Sequence, residues 1–190
     1  MKTRLLALVC CAAILGGCNL VPTANAPIPI GRKFVPFGLL GKTIPGTNHG
    51  RVQFITQIVY IVDATDHLAP SSRIVPTPPT LASVLRELVI GPTTIETATG
   101  YSSAIPKGLV ILGANVKNHV GFISIPAPLS DLPVNQRLLA LGQLTLTSAT
   151  VGATKGIEIL VAGVAQPSLR PGGSSAILVT PHDYESLLSH

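Results

Sequence analysis

The cysteines constrain this chain most. All three, Cys10, Cys11 and Cys18, fall within the first eighteen of 190 residues, and the segment that holds them has the build of a removable export leader. Lys2 and Arg4 form a short basic start, Leu5 to Ile14 is an apolar run, and Leu15-Gly16-Gly17 are small or apolar residues just before Cys18. A cut before Cys18 removes residues 1–17 as a signal peptide and leaves one thiol. No intramolecular disulfide is then available, even in a compartment that would permit one. Everything downstream has to be held by burying apolar surface. The composition allows this: 46% of the residues are hydrophobic, 11% are charged and the mean hydropathy is +0.52, which argues against long disorder and suits one domain with tails.

The apolar run rises only about 15 Å as a helix, roughly half a bilayer core, so it is a poor transmembrane span. Leu15-Gly16-Gly17-Cys18 looks instead like a bacterial lipobox, in which the Cys18 thiol takes a diacylglyceryl group and the new amine offers a second acylation site. A plain secretory peptide with an incidental cysteine is the alternative. Stable anchoring needs more than one acyl chain, which a diacylglyceryl group supplies. The expectation is therefore a lipoprotein held through Cys18 at the bacterial cell membrane, facing the extracytoplasmic side. Losing Lys2 and Arg4 lowers the balance from 13 basic against 8 acidic residues to 11 against 8. The remaining cations are scattered, Arg32-Lys33 being the sole adjacent pair, so nucleic acid is not an expected partner. Arg32, Lys33 and Lys42 are compatible with weak attraction to anionic headgroups, but solvated tether charges are the simpler reading.

Residues 18–51 alternate Pro22, Pro27, Pro29, Pro36 and Pro45 with Gly31, Gly38, Gly41, Gly46 and Gly50, a spacing that frustrates helix and sheet alike and reads as a tether. Regular structure is predicted to begin with Phe54 to Val62, a β-branched run largely apolar on both faces and therefore central in a sheet covered on both sides, or on one side plus the tail. Thr80 then caps a helix with Leu81, Val84, Leu85 and Leu88 on one face, stopped by Gly91-Pro92. Leu109 to Val116 and Val120 to Ile125 read as a hairpin turning at Lys117-Asn118-His119. A second helix is expected after Asp131-Leu132-Pro133, with Asp131 as cap and Leu138, Leu141, Leu144 or Thr145, and Ala149 on its apolar face. Ile157 to Val161 closes the pattern at Ala162-Gly163. The order β-α-β-β-α-β predicts a small two-layer α+β domain, a mixed or antiparallel sheet with two helices, over residues 52–166. Residues 167–190 read as a C-terminal tail, in which Ile177 to Val179 would add an edge strand and Tyr184 to Leu188 a helical turn.

The helix with its stop, Leu81 to Thr93, followed by Gly100-Tyr101-Ser102-Ser103-Ala104-Ile105-Pro106-Lys107-Gly108, resembles the signature of GerMN domains, named for sporulation and spore germination. Leu112 to Val116 and Gly156 to Gly163 resemble the family's later strands. The resemblance spans roughly Val52 to Val164. It implies an envelope lipoprotein or membrane-tethered protein without recognised catalytic residues, similar to ring-forming modules of secretion-like assemblies. The chain departs from the family pattern at the proline-rich stretch after Asp63 to Leu68 and at Pro126 to Pro133, which puts loop geometry rather than the core in question.

The chemistry-bearing residues give little purchase. Asp63, Asp66 and His67 offer two carboxylates and an imidazole to a metal, though turn and cap duties explain them equally well. His182-Asp183-Tyr184-Glu185 is contiguous, so its side chains diverge. Ser102 and Ser103 lack the second glycine of a Gly-x-Ser-x-Gly elbow and suit loop hydrogen bonding. Neither Gly152-Ala153-Thr154-Lys155-Gly156 nor Pro171-Gly172-Gly173-Ser174-Ser175 is a phosphate-binding loop. Eight acids with no pair on a shared face are thin material for hydrolysis. The chain is read as a non-enzyme without cofactor or metal, whose domain binds envelope proteins or copies of itself. The alternatives are a binder of a small cell-wall or lipid ligand and a wall hydrolase using Asp63, Asp66, His67 and Ser103.

Overall fold

The computed structural model describes residues 52–189; the leader, Cys18 and the tether lie outside the described residues. Thr80 starts helix α1, Leu81–Ile90, with a reciprocal pair of hydrogen bonds between Thr80 and Ser83, and Gly91 ends it at φ +86°. Leu81, Val84, Leu85 and Leu88 are buried as their spacing predicts, each contributing about 1.5–3 kcal/mol of transfer free energy. A second, five-residue helix follows, α2 at Thr94–Ala98. Thr93 and Glu96 form its capping box, a Thr-x-x-Glu signal that the sequence itself carries.

Strand β1, Phe54–Val62, differs from expectation. It pairs antiparallel with β2, Leu68–Pro76, in a separate two-stranded sheet and is not central. Pro70 and Pro76 argue against a strand in the sequence, yet β2 has a single strand neighbour, so proline costs it no ladder bond on the free edge. The other edge of β1 is met by helix side chains. In α3, Val134–Ala149, Gln143 donates Nε2 to the Tyr60 carbonyl at 2.9 Å and Thr147 Oγ1 accepts from the Tyr60 N–H at 2.9 Å. One turn on, Thr150 Oγ1 donates to the Ile58 carbonyl at 3.1 Å. A polar stripe at i, i+4 and i+7 thus does for β1 what a third strand would.

That stripe also corrects the expected apolar face of α3. From Ala140 to Ser148 the helix is buried all round, polar residues included. Asp131 does not cap it; it sits in a 3-10 turn, Leu129–Asp131, and Pro133 precedes the first turn without a side-chain cap.

The main sheet has the order β3-β4-β5-β6, from Gly113–Lys117, Val120–Ile125, Gly156–Val161 and Val164–Gln166. β4 and β5 are parallel with α3 between them in sequence, and the outer pairs are antiparallel. Asn118 and His119 both have positive φ, the requirement of a two-residue type I′ turn, and Ala162-Gly163 repeats the device. β3 is shorter than Leu109 to Val116. Gly121, Ile123, Ile125, Ile157 and Ile159 form the buried face of β4 and β5. A Cβ at Gly121 would stand 3.3 Å from Leu81 Cδ2, so α1 crosses closely here. The fold is α+β, with the hairpin β1–β2 packed against α1 and α3.

The C-terminal segment is part of this core. Ser168–Leu169 and Ser175–Ala176 form a small ladder, β7 and β8. Val179 bridges Ile157 and is fully buried. Tyr184, in the 3-10 helix Pro181–Leu187, is also buried and donates its hydroxyl to the Leu169 carbonyl at 2.6 Å. The tail predicted over residues 167–190 is thus integral to the domain through residue 189.

Candidate functional site

The polar residues singled out in the sequence are engaged in holding loops. Asp63 Oδ1 accepts from the Thr65 hydroxyl at 2.7 Å and from the Thr65 and His67 N–H groups at 2.8 and 3.1 Å. The Thr65 hydroxyl, helped by the backbone bonds, holds the Asp63 carboxyl below its usual range. His67 Nδ1 lies 2.8 Å from the Thr65 carbonyl. These are turn duties. Ser102 pairs its backbone with Val62, and Ser103 Oγ accepts from the Ile105 N–H at 3.2 Å. Gln143 Oε1, not a histidine, is the neighbouring acceptor, and it also takes the Ala104 N–H at 2.8 Å. Asp183 receives the Thr180 N–H and hydroxyl, His182 faces Glu185 at 2.8 Å, and burial pushes the Tyr184 hydroxyl pKa up. Among the described residues no group of three or more His, Cys, Asp or Glu side chains could hold a metal ion.

The Gly91-Pro92-Thr93 motif has a structural logic that composition does not reveal. Arg73, buried on β2, donates to Glu96 Oε1 at 3.0 Å and Oε2 at 2.8 Å, and to the Gly91 carbonyl at 3.1 Å. Ser71 also donates to Glu96, and Glu96 Oε2 receives the Thr93 N–H. Burial works against the Glu96 charge, but Arg73, Ser71 and Thr93 outweigh it and hold the carboxyl at about 2. The turn is thereby clasped to the hairpin.

Two of the open surfaces among the described residues stand out. The larger is a groove of about 620 Å³ between α1 and residues 109–114, the run that leads into β3, with Arg86 on its wall. Ile90, Val110 and Leu112 are large apolar side chains that stand exposed there. Ile90 also borders an adjoining hollow with Pro92, Tyr101, Ile105 and Lys107. β3, whose Gly113 and Ala114 line the groove, pairs only with β4, so its other edge has no strand partner among the described residues. The second surface is a cleft of about 430 Å³ lined by Val62, Leu138, Leu139 and Leu187, with Asp66, Ser103, Asn135 and Gln136 among its polar groups. No helix among the described residues is long and apolar enough to cross a membrane.

The layered fold and the motif between α1 and α2 together define a GerMN-type domain. A family model described as Germane, sporulation and spore germination, matches residues 58–166, and the chain belongs to that family. Among solved structures it resembles the tandem GerMN domains of the sporulation protein GerM from Bacillus subtilis, with a TM-score of 0.55 at 10% identity over 69% of this chain and 48% of that one. The first GerMN domain of the same protein superposes with a TM-score of 0.52 at 10% identity, covering 67% of this chain and 98% of that chain. This chain thus spans about half the length of the tandem protein. Among curated proteins none matches the sequence.

Proposed function

We propose that this chain is a non-catalytic envelope lipoprotein, anchored through Cys18, whose GerMN domain docks another envelope protein or a second copy of itself. The observation that carries the reading is the α1–β3 surface, where exposed Ile90, Val110 and Leu112 adjoin an open strand edge. Apolar anchors beside unpaired backbone groups suit a partner that adds a strand and seats alternate side chains in the groove. The loop duties of Asp63, His67 and Ser103 support the non-catalytic part. A photo-crosslinking residue at Leu112 or Ile90, expressed in the native membrane, should give a discrete adduct that an Asp at the other position abolishes. A folded chain that stays strictly monomeric and crosslinks to nothing at either position would refute the proposal.

The cleft beside Ser103 and Asn135 favours a second reading, a small ligand with hydroxyl or amide groups. Its test is a thermal-shift screen with soluble cell-wall fragments, with Asn135→Leu as control. No shift, or a shift unaffected by that change, would remove it.

A further inference from the structure

The open end of the β1–β2 hairpin carries a feature that neither the core nor the groove uses. In the register Phe54↔Pro76 and Thr56↔Ile74, the side chains of Phe54, Ile74 and Pro76 stand on one face of the ladder, and Val52 lies two residues before the strand's first residue. That face is uncovered at this end: Val52 is 61%, Phe54 63% and Ile74 68% exposed. On the opposite face Val75, Arg73 and Val59 are buried, while Ile55 at the open end is 44% exposed. The hairpin's acids, Asp63 and Asp66, lie in the turn at its far end. An exposed Phe-Ile-Val-Pro cluster on a short two-stranded ladder needs an occupant.

The charge distribution along the chain points to which one. Residues 52–189 hold seven Lys and Arg against eight Asp and Glu, whereas residues 19–51 hold Arg32, Lys33, Lys42 and Arg51 and no acid. All four cations therefore precede the apolar cluster in sequence, the last of them adjoining Val52. We infer that the Val52, Phe54, Ile74 and Pro76 face is a bilayer-contact surface that sinks into the headgroup boundary of an anionic membrane, with the preceding basic residues supplying electrostatic attraction. The pairing of apolar insertion with nearby cations is the general recipe for interfacial binding. The inference rests on the reading that the chain works at a membrane, and it adds an orientation: the hairpin's open end toward lipid.

The test uses residues 18–190 carrying Cys18→Ser, so that no acyl chain contributes. Sedimentation with vesicles of phosphatidylcholine alone, or mixed with phosphatidylglycerol, should show at least about tenfold stronger binding to the anionic set at low salt, falling as salt rises. Phe54→Ser with Ile74→Ser should weaken that binding about tenfold or more, with circular dichroism and melting confirming the fold, and Ile74→Ser alone should give a smaller loss. Replacing Arg32, Lys33, Lys42 and Arg51 by Gln should erase the preference for anionic vesicles. Equal binding to both vesicle types, binding indifferent to the apolar replacements, or self-association through Phe54 with no vesicle binding would each overturn the inference. Palmitate labelling of the intact chain reads the Cys18 anchor independently, so a failure of the anchor and a failure of this surface are distinguishable.

Discussion

Replacing Glu96 by Gln tests the clasp between the family motif and the hairpin. The pair is well shielded, with 8% of the Arg73 side chain and 19% of the Glu96 side chain exposed. Burial opposes the Glu96 charge, yet the bonds from Arg73, Ser71 and Thr93 hold its carboxyl at about 2 against an ordinary 4.5. At about 1.4 kcal/mol per pH unit, that displacement is worth about 3 kcal/mol of folding stability. Because the folded value lies below the unfolded one, the contribution is complete above about pH 4.5 and is lost as the pH falls toward 2. The assay is urea denaturation of residues 18–190 carrying Cys18→Ser, followed by circular dichroism at intervals from pH 7 to pH 2. Glu96→Gln should be about 2–3 kcal/mol less stable at pH 7, and the gap should close below pH 3. Other carboxyls, Asp63 included, titrate in both proteins and cancel in the difference. A constant gap across the range, or none at pH 7, would refute the reasoning.

The remaining predictions concern the devices that shape the fold. Gln143→Leu leaves the Tyr60 carbonyl and Ala104 N–H without their buried partner, and should cost about 2–4 kcal/mol in chemical denaturation. Gly156 has φ +127° and a Cβ there would collide with the Val179 carbonyl; Gly156→Ala should lower the melting temperature by at least about 10 °C or prevent folding. Conversely, His119→Gly relieves a non-glycine residue at φ +67° in the type I′ turn and should raise stability by about 0.5–1 kcal/mol, read as a higher denaturation midpoint.

How much could be read in advance differs from element to element. α1 was legible to the residue, because Thr80, the 81-84-85-88 stripe and Gly91 each act within one or two helical turns. The Asn118-His119 hairpin was legible because turn chemistry is local. β2 was not, since its two prolines forbid a central strand and only the pairing with β1 shows that it is an edge. α3 was half legible: its apolar spacing predicts a helix, but Gln143, Thr147 and Thr150 look like a solvent face until β1 lies against them. The clasp of Arg73 and Glu96 was invisible because its members lie 23 residues apart on separate elements.

The linear sequence is sufficient for features set by short-range chemistry: the cap and stop of α1, the Asn118-His119 turn, the α+β class and the motif that assigns the family. Tertiary structure alone decides the separation of the β1–β2 hairpin from the main sheet. It likewise buries Ser168, Val179 and Tyr184 of the C-terminal segment and leaves apolar surface at Ile90, Leu112, Phe54 and Ile74. The reason is physical: burial and partner choice depend on what is brought near across the fold, whereas caps, turns and periodicity depend on neighbours along the chain.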